Sequence, residues 1–327
     1  MESGNSQFFV GIDIGGTKIQ VVIADRHGAI HGEARKKHKG AVDFEWVVGR
    51  SVAAVDAALD KAKLGRKEIS ALGIGAPSPI LPDGTAVHAP NLGWQNVPLV
   101  ATFAQELGWP TYAANDCDAG TFGEHRFGAG QAAQTVVGLF MGTGIGGGLV
   151  RNGEILAGDN YQGAEFGHTK VQVGGQRCGC GARGCLEAYA SKLGIASFVA
   201  HQVNCEGRET MLTELCDGDY RSLRSSALAK AYRATDAVAV AAIDQAADYL
   251  GIGVANAITL LAPSVIVLGG GVIEALGSLL LNRVVSAAEQ ASWPPGSFAD
   301  TSIRLAKLGD HAVALGAAAW AIQRGQF

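Results

Sequence analysis

The chain has 327 residues, enough for about two domains with full cores at roughly 150 residues per domain. Hydrophobic residues make up 48% and charged residues 17%, which excludes a disordered chain. A balance of 26 basic against 30 acidic residues, net −4, excludes a polybasic nucleic-acid surface as the principal function. The 46 glycines, about twice the usual share, follow no collagen period and are expected in turns and in close approaches of backbone to ligand.

The opening MESGNSQ has no basic leader pattern, and the first apolar run already contains Asp13, so no signal peptide is expected. Two uncharged stretches raise the question of a membrane span. Residues 127–150 are too rich in glycine, and residues 249–273 are broken by Asn256, Pro263 and a glycine triplet, which reads as a buried helix followed by a buried strand. A soluble, cytoplasmic protein without membrane or nucleic-acid partners is the expectation.

In chain order, a strand from about Phe8 to Ile14, the turn Gly15-Gly16 and a strand from Thr17 to Ala24 form a hairpin, and a third strand follows Gly28. Helical spacing of apolar residues spans 44–63. A short buried strand over Ala71–Ala76 ends at Pro77-Ser78-Pro79. A loop with Pro90-Asn91, a helix near 98–107 and a strand over Pro110–Ala114 come next. The opening pattern then recurs about 125 residues on, in TVVGLFMGTGIGGGLVRNGEIL, which suggests an internal duplication. Two like domains facing each other make a cleft, where ligands sit. The last third is helical over about 225–262, then strand, Gly269-Gly270-Gly271, helix, a strand near 302–308 and a final helix whose small residues imply tight packing on a sheet.

Neither glycine turn is a Walker loop or a dinucleotide fingerprint, because a strand rather than a helix follows each. They either shape hairpins or form anion-binding nests, and their near-repetition favours phosphate. Asp13, just before the first turn, is placed to hold hydrated magnesium. Asn115-Asp116 follows a buried strand: the pair is either a helix cap or, through Asp116, an acceptor for a substrate hydroxyl proton.

Six cysteines without a secretion signal argue against a disulfide framework. Cys117, Cys205 and Cys216 read as packing residues. Cys178, Cys180 and Cys185 fall within eight residues and, with His168, supply four ligands for a tetrahedral, structural zinc. Glu165, His168 and Glu187 would then form a rigid wall of hydroxyl-binding groups.

Together GIDIGGTK, the Asn-Asp of AANDCDAGTFGE, GTGIGGGLVRNGEI, GAEFGH, CGCGARGCLEAYAS and VIVLGGGV resemble the ROK sugar kinases, and among them ATP-dependent bacterial glucokinases, over nearly the whole chain. The resemblance implies a two-domain α/β fold of the actin/hexokinase (ribonuclease H-like) type with an interdomain cleft. The expected domains are residues 1–114 with the C-terminal helix of about 313–327, and residues 115–312 with a zinc loop at 165–187. It implies Asp116 as the base on the sugar 6-hydroxyl, with Asn91, Asn115, Glu165, His168 and Glu187 on the sugar. Asp13, Gly15, Gly16, Thr17, Lys18, Thr143 and Gly144 would serve the phosphates, and Gly269, Gly270 and Gly271 would flank the adenosine. His168, Cys178, Cys180 and Cys185 match the family's zinc ligands.

The expected function is ATP- and magnesium-dependent phosphorylation of glucose. The alternatives are another hexose (N-acetylmannosamine, fructose, allose or mannose) or a catalytically idle sugar sensor. Pro77-Ser78-Pro79 and Asn91-Leu92-Gly93-Trp94 depart from the family's usual loops near the sugar. The family also makes a homodimer or homotetramer the expectation. No DNA-reading helix-turn-helix fits before a first strand at residue 8.

Overall fold

The computed structural model of the chain describes residues 7–38, 43–294 and 296–327, so the reading of residues 1–6 as lacking a leader lies outside it. The elements in chain order are β1 (Phe8–Ile14), β2 (Lys18–Asp25), β3 (Ile30–Lys37), α1 (Phe44–Ala62), β4 (Ile69–Ala76), β5 (Ala86–Ala89), β6 (Trp94–Val97), α2 (Leu99–Leu107), β7 (Thr111–Asn115) and α3 (Asp116–Phe127). There follow β8 (Thr135–Met141), β9 (Ile145–Arg151), β10 (Glu154–Ile155), α4 (Glu187–Ala190), α5 (Lys192–Asn204), α6 (Leu212–Leu215), α7 (Ser225–Arg233) and α8 (Ala237–Leu261). The chain closes with β11 (Val265–Gly269), α9 (Gly271–Leu276), α10 (Ser278–Ala291), β12 (Ser302–Leu305) and α11 (Ala312–Gly325).

Two compact units result. One comprises Met1–Ala132, Gly148–Ala164 and Asp310–Phe327, the other Ala133–Gly147 and Glu165–Gly309. Two five-stranded sheets run β3-β2-β1-β4-β7 and β10-β9-β8-β11-β12. In the first, β1, β2 and β3 are antiparallel neighbours and β4 and β7 continue in parallel. In the second, β9 and β10 are antiparallel while β8, β11 and β12 run parallel. The same order thus occurs twice, as the repeated sequence pattern predicts.

Alternation along β1 explains why that strand reads as continuously apolar. Val10, Ile12 and Ile14 pack with Val47, Val55 and Leu59 of α1, whereas Phe9 packs with Ala318, Ala321 and Ile322 of α11. A strand covered on both faces loses its polar alternation. On the α11 side β1 and β4 carry Gly11 and Gly73, where a Cβ would run into the Ala314 and Ala317 carbonyl oxygens. The alanine-rich last helix therefore lies directly on the sheet, as its small residues foretold.

In the second unit β8 and β11 are buried, and α8 packs against α5, α7 and α10. Among the described residues α8 is long and apolar enough to cross a membrane, but most of its apolar stretch is buried inside the fold. The stretch 249–273 is therefore the end of this core helix followed by β11.

Several boundaries move. The helical region from 225 is two helices, because Asp236 caps α8 by accepting from the Val238 and Ala239 amides. The helix after the glycine triplet breaks at Gly277, whose φ of 59° is left-handed backbone that glycine adopts without penalty. The loop holding Asn91 is the turn of the β5–β6 hairpin, and the last strand stops at Leu305. Cys216 is buried and Cys117 half-buried, but Cys205 is exposed at the end of α5 and packs no core.

Candidate active site and metal centre

In the first unit, β1 ends at Ile14 and the chain turns through Gly15, Gly16 and Thr17 into β2. The Gly15 amide donates to the Lys18 carbonyl at 2.9 Å. His38 clamps this turn twice: its backbone N–H donates to the Thr17 carbonyl at 2.9 Å and its ring Nε2 to the Gly15 carbonyl at 2.8 Å. A carbonyl only accepts, so the Nε2–H form is assigned from the hydrogen bond. Asn91 sits beside the turn, its Cβ 3.5 Å from where a Cβ on Gly16 would lie.

Asp13 falls on the same face of β1 as Phe9 and Gly11, toward α11. It is 7% exposed. Burial, and then the Asp116 and Asp310 carboxylates, push its carboxyl up to about 7 against the pull of Lys18 and Arg35. Crowded acids of this kind are a donor set for a hard divalent cation such as magnesium.

Of the two readings of the Asn115-Asp116 pair, the helix cap is made by Asn115 and leaves the Asp116 carboxyl outside it. Asn115 caps α3, its Oδ1 accepting from the Cys117 amide at 2.9 Å and the Asp118 amide at 3.3 Å. That leaves Asp116 as the first helical residue, with the Cys117 amide 2.8 Å from its Oδ1. Burial raises the Asp116 carboxyl even though the Cys117 amide favours the anion. A carboxyl shifted upward moves toward the range useful to a general base. A cavity of about 690 Å³ in this unit is bordered by Asn115 but not by Asp116, so it lies beside that carboxyl rather than around it.

In the second unit, the turn at Thr143-Gly144 is held by groups that arrive much later in the chain. Glu187 Oε2 accepts from the Ile145 amide at 3.0 Å, and a Cβ on Gly144 would collide with the same carboxylate. The Lys192 and Leu193 amides, opening α5, donate to the Gly142 and Thr143 carbonyls at 3.0 and 3.4 Å. Gly269, Gly270 and Gly271 link β11 to α9. A Cβ on Gly270 would meet the Met141 carbonyl at 2.6 Å, so the triplet lies against the strand that feeds the turn.

His168, Cys178, Cys180 and Cys185 offer four donor atoms within 4.8 Å of one another. Cys178 Sγ lies 3.8 Å from His168 Nδ1, and Cys180 Sγ lies 3.8 Å from Cys185 Sγ. A tetrahedron with Zn–S bonds of roughly 2.3 Å has sulfur–sulfur edges of about 3.8 Å, so donor type and spacing fit zinc. Burial pushes the metal-free Cys178 thiol up to about 12, and a cation would reverse this. Lys170 Nζ stands 2.8 Å from Cys185 Sγ, where its charge offsets a set of three thiolates. Tyr189 braces the loop: its hydroxyl accepts from the Gln176 amide at 2.6 Å and its ring stacks on Tyr249 at 4.1 Å.

Of the expected site residues, the first unit holds Asp13, Gly15 to Lys18, Asn91, Asn115 and Asp116, and the second holds the rest. Glu165 is exposed and His168 half-buried on a 3-10 turn. Both Glu187 oxygens are engaged, Oε2 by Ile145 and Oε1 by the Cys178 thiol at 3.3 Å. Sequence reasoning missed His38, Arg35 and Lys170, which no motif marks.

The profile of the ROK family matches residues 9–324. The chain is 34% identical to a glucokinase of Halalkalibacterium halodurans over 319 residues, 95% of this chain and 94% of that one. It is 30% identical to a xylose repressor of Caldicellulosiruptor bescii, covering 96% of this chain and 77% of the repressor. A ROK glucokinase of Streptomyces griseus, solved with glucose and AMPPNP, superposes with a TM-score of 0.84 at 32% identity, over 97% of this chain and 99% of that one. The architecture is the two-domain actin-like fold of ROK glucokinases.

Proposed function

We propose that this chain, which belongs to the ROK family and is a sugar kinase, transfers the γ-phosphoryl group of ATP to the 6-hydroxyl of glucose. The observation that carries the reading is Asp116: a carboxyl raised by burial, at the start of a helix, in the unit that also holds Asp13 and the first glycine turn. Asp116 takes the proton of the 6-hydroxyl as that oxygen bonds to the γ-phosphorus. The bond from the γ-phosphorus to the bridging oxygen breaks, leaving ADP and the sugar phosphate.

Such transfer needs positioning and charge neutralisation more than covalent chemistry. In the first unit the amides of Gly16 and Thr17 and the Lys18 ammonium meet the phosphates, with Gly15 shaping the turn through its bond to the Lys18 carbonyl; in the second, Thr143 and Gly144 meet them. Asp13 would hold magnesium, which neutralises phosphate charge when bound. Asn115 has its oxygen committed to the cap, so its amide nitrogen is the group that donates to the sugar. Asn91, Glu165, His168 and Glu187 serve the other hydroxyls, and Gly269 to Gly271 flank the adenosine. His168, Cys178, Cys180 and Cys185 would hold a structural zinc that stiffens the loop carrying His168 and leading to Glu187.

Relatives called glucokinases favour glucose, while the two altered loops bear on which hexose fits. They are joined: Ser78 Oγ accepts from the His88 amide of β5 at 3.0 Å, and the β5–β6 turn presents Asn91. The test is coupled detection of ADP formation with magnesium-ATP and glucose, mannose, fructose, N-acetylglucosamine or N-acetylmannosamine. The highest kcat/KM with glucose is expected. Preference for another sugar moves the substrate, and silence across the panel with sugar still bound defeats the kinase reading in favour of a sensor.

A further inference from the structure

The turn Gly309-Asp310-His311 enters no step of that reaction, yet it sets charge beside the first glycine turn. Asp310 stands two residues before α11. Its Oδ1 accepts from Lys18 Nζ at 3.0 Å and its Oδ2 from Arg35 Nη2 at 2.8 Å. The same Arg35 nitrogen donates to Gln20 Oε1 at 2.8 Å. Gln20 pairs across the sheet with Asp13 on β1 and with Arg35 on β3. Cross-strand partners project to one face, and for Asp13 that face is the one covered by α11. Lys18, Asp310, Arg35 and Gln20 thus close a ring that ties β2, β3 and the start of α11 together. Beside it His311 and Glu33 form a second strut at 2.7 Å.

The ring is too exposed to be a large source of stability. Side-chain exposures are 31% for Lys18, 55% for Asp310 and 44% for Arg35, and pairs of this kind contribute little net stabilisation. Its consequence is placement. A free lysine side chain samples many rotamers, and ordering it costs entropy at the moment of binding. Asp310 removes that freedom beforehand, and Arg35, gripping the second carboxylate oxygen, keeps Asp310 itself from turning away. Two cations against one carboxylate leave the ring net positive, as a phosphate site requires.

We propose that Asp310 and Arg35 are positioning residues for phosphoryl transfer, acting through Lys18 to hold its ammonium ready for the nucleotide phosphates. This rests on the reading of Lys18 as a phosphate group donor-partner, and the experiment separates the two.

The test is steady-state kinetics on the full chain and its Lys18→Met, Asp310→Asn, Asp310→Glu and Arg35→Met variants. ATP and the best sugar of the panel are varied separately. Asp310→Asn is expected to raise KM for ATP roughly tenfold, the scale of a modest loss of positioning, with KM for sugar and the thermal midpoint unchanged. Asp310→Glu recovers most of the loss. Arg35→Met gives a smaller rise of the same kind, and adding it to Asp310→Asn does no further harm, because the ring is already open. If Lys18→Met raises KM for ATP while Asp310→Asn leaves it at the wild-type value, or raises both KM values alike, the positioning role is wrong and the phosphate role of Lys18 stands. If Lys18→Met leaves KM for ATP unchanged, both fall together.

Discussion

Glu187 and Ile145 are 42 residues apart in sequence and joined by one hydrogen bond, the Ile145 amide donating to the Glu187 carboxylate at 3.0 Å. The other Glu187 oxygen faces Cys178. One side chain therefore connects the second glycine turn to the cysteine loop. Glu187→Ala leaves the Ile145 amide without its acceptor, and a loss of about 1–3 kcal/mol in urea unfolding is expected. The KM values for ATP and sugar should rise together, because turn and loop share this support. A rise confined to sugar would show that Glu187 contacts sugar only.

Asp116 is the residue on which turnover should depend most. Asp116→Asn keeps the shape and the helix start but cannot accept the hydroxyl proton, so kcat should fall by roughly two to four decades. Sugar binding measured by calorimetry should persist. A variant with near wild-type turnover removes Asp116 from the role of base.

The cysteine loop predicts a coupled loss of metal and affinity. Purified Cys180→Ser should contain far less zinc by elemental analysis than the parent chain, melt earlier and show a raised KM for sugar, since metal binding supplies folding free energy to the loop. Unchanged metal content and sugar affinity would exclude these four ligands.

Burial of Asp13 has a pH signature with a definite sign. Its carboxyl is raised from 3.8 to about 7 in the folded chain, so between those values the native state holds a proton that the unfolded state has released. The stability it contributes is fully present below about pH 4 and is lost as pH rises through 7, up to roughly 4 kcal/mol for such a shift. Measured without metal, the stability of Asp13→Asn relative to wild type should increase from pH 4 to pH 7. A difference that stays constant across that window would show that Asp13 ionises freely in the fold.

Two glycines separate close approach from mere presence. A Cβ at Gly73 meets the Ala317 carbonyl, so Gly73→Ala should cost about 1–3 kcal/mol. A Cβ at Gly49, inside α1, meets nothing within 4 Å, so Gly49→Ala should stabilise by up to about 1 kcal/mol. Chemical denaturation of both variants checks the contrast. Equal effects would mean that α11 does not lie on β1 and β4 as described.

The sequence by itself determined what is written in short windows. Strand-glycine-strand runs announced both hairpins, the spacing of His168 and the three cysteines announced a four-ligand cluster, and the small residues of the last helix announced its seat on a sheet. The site residues carried by motifs lie at the ends of these elements because turns and helix starts leave backbone and side chains free for ligands. Only the tertiary structure decided the contacts between distant windows. His38 reaches Gly15 because β3 returns alongside β2. Glu187 turns to Ile145 because α4 packs behind the glycine turn. Asp310 meets Lys18 across 292 residues of sequence because α11 comes back onto the first sheet. No local propensity encodes such pairs. They follow from sheet register and from a helix finding the one face where Gly11 and Gly73 let it lie close.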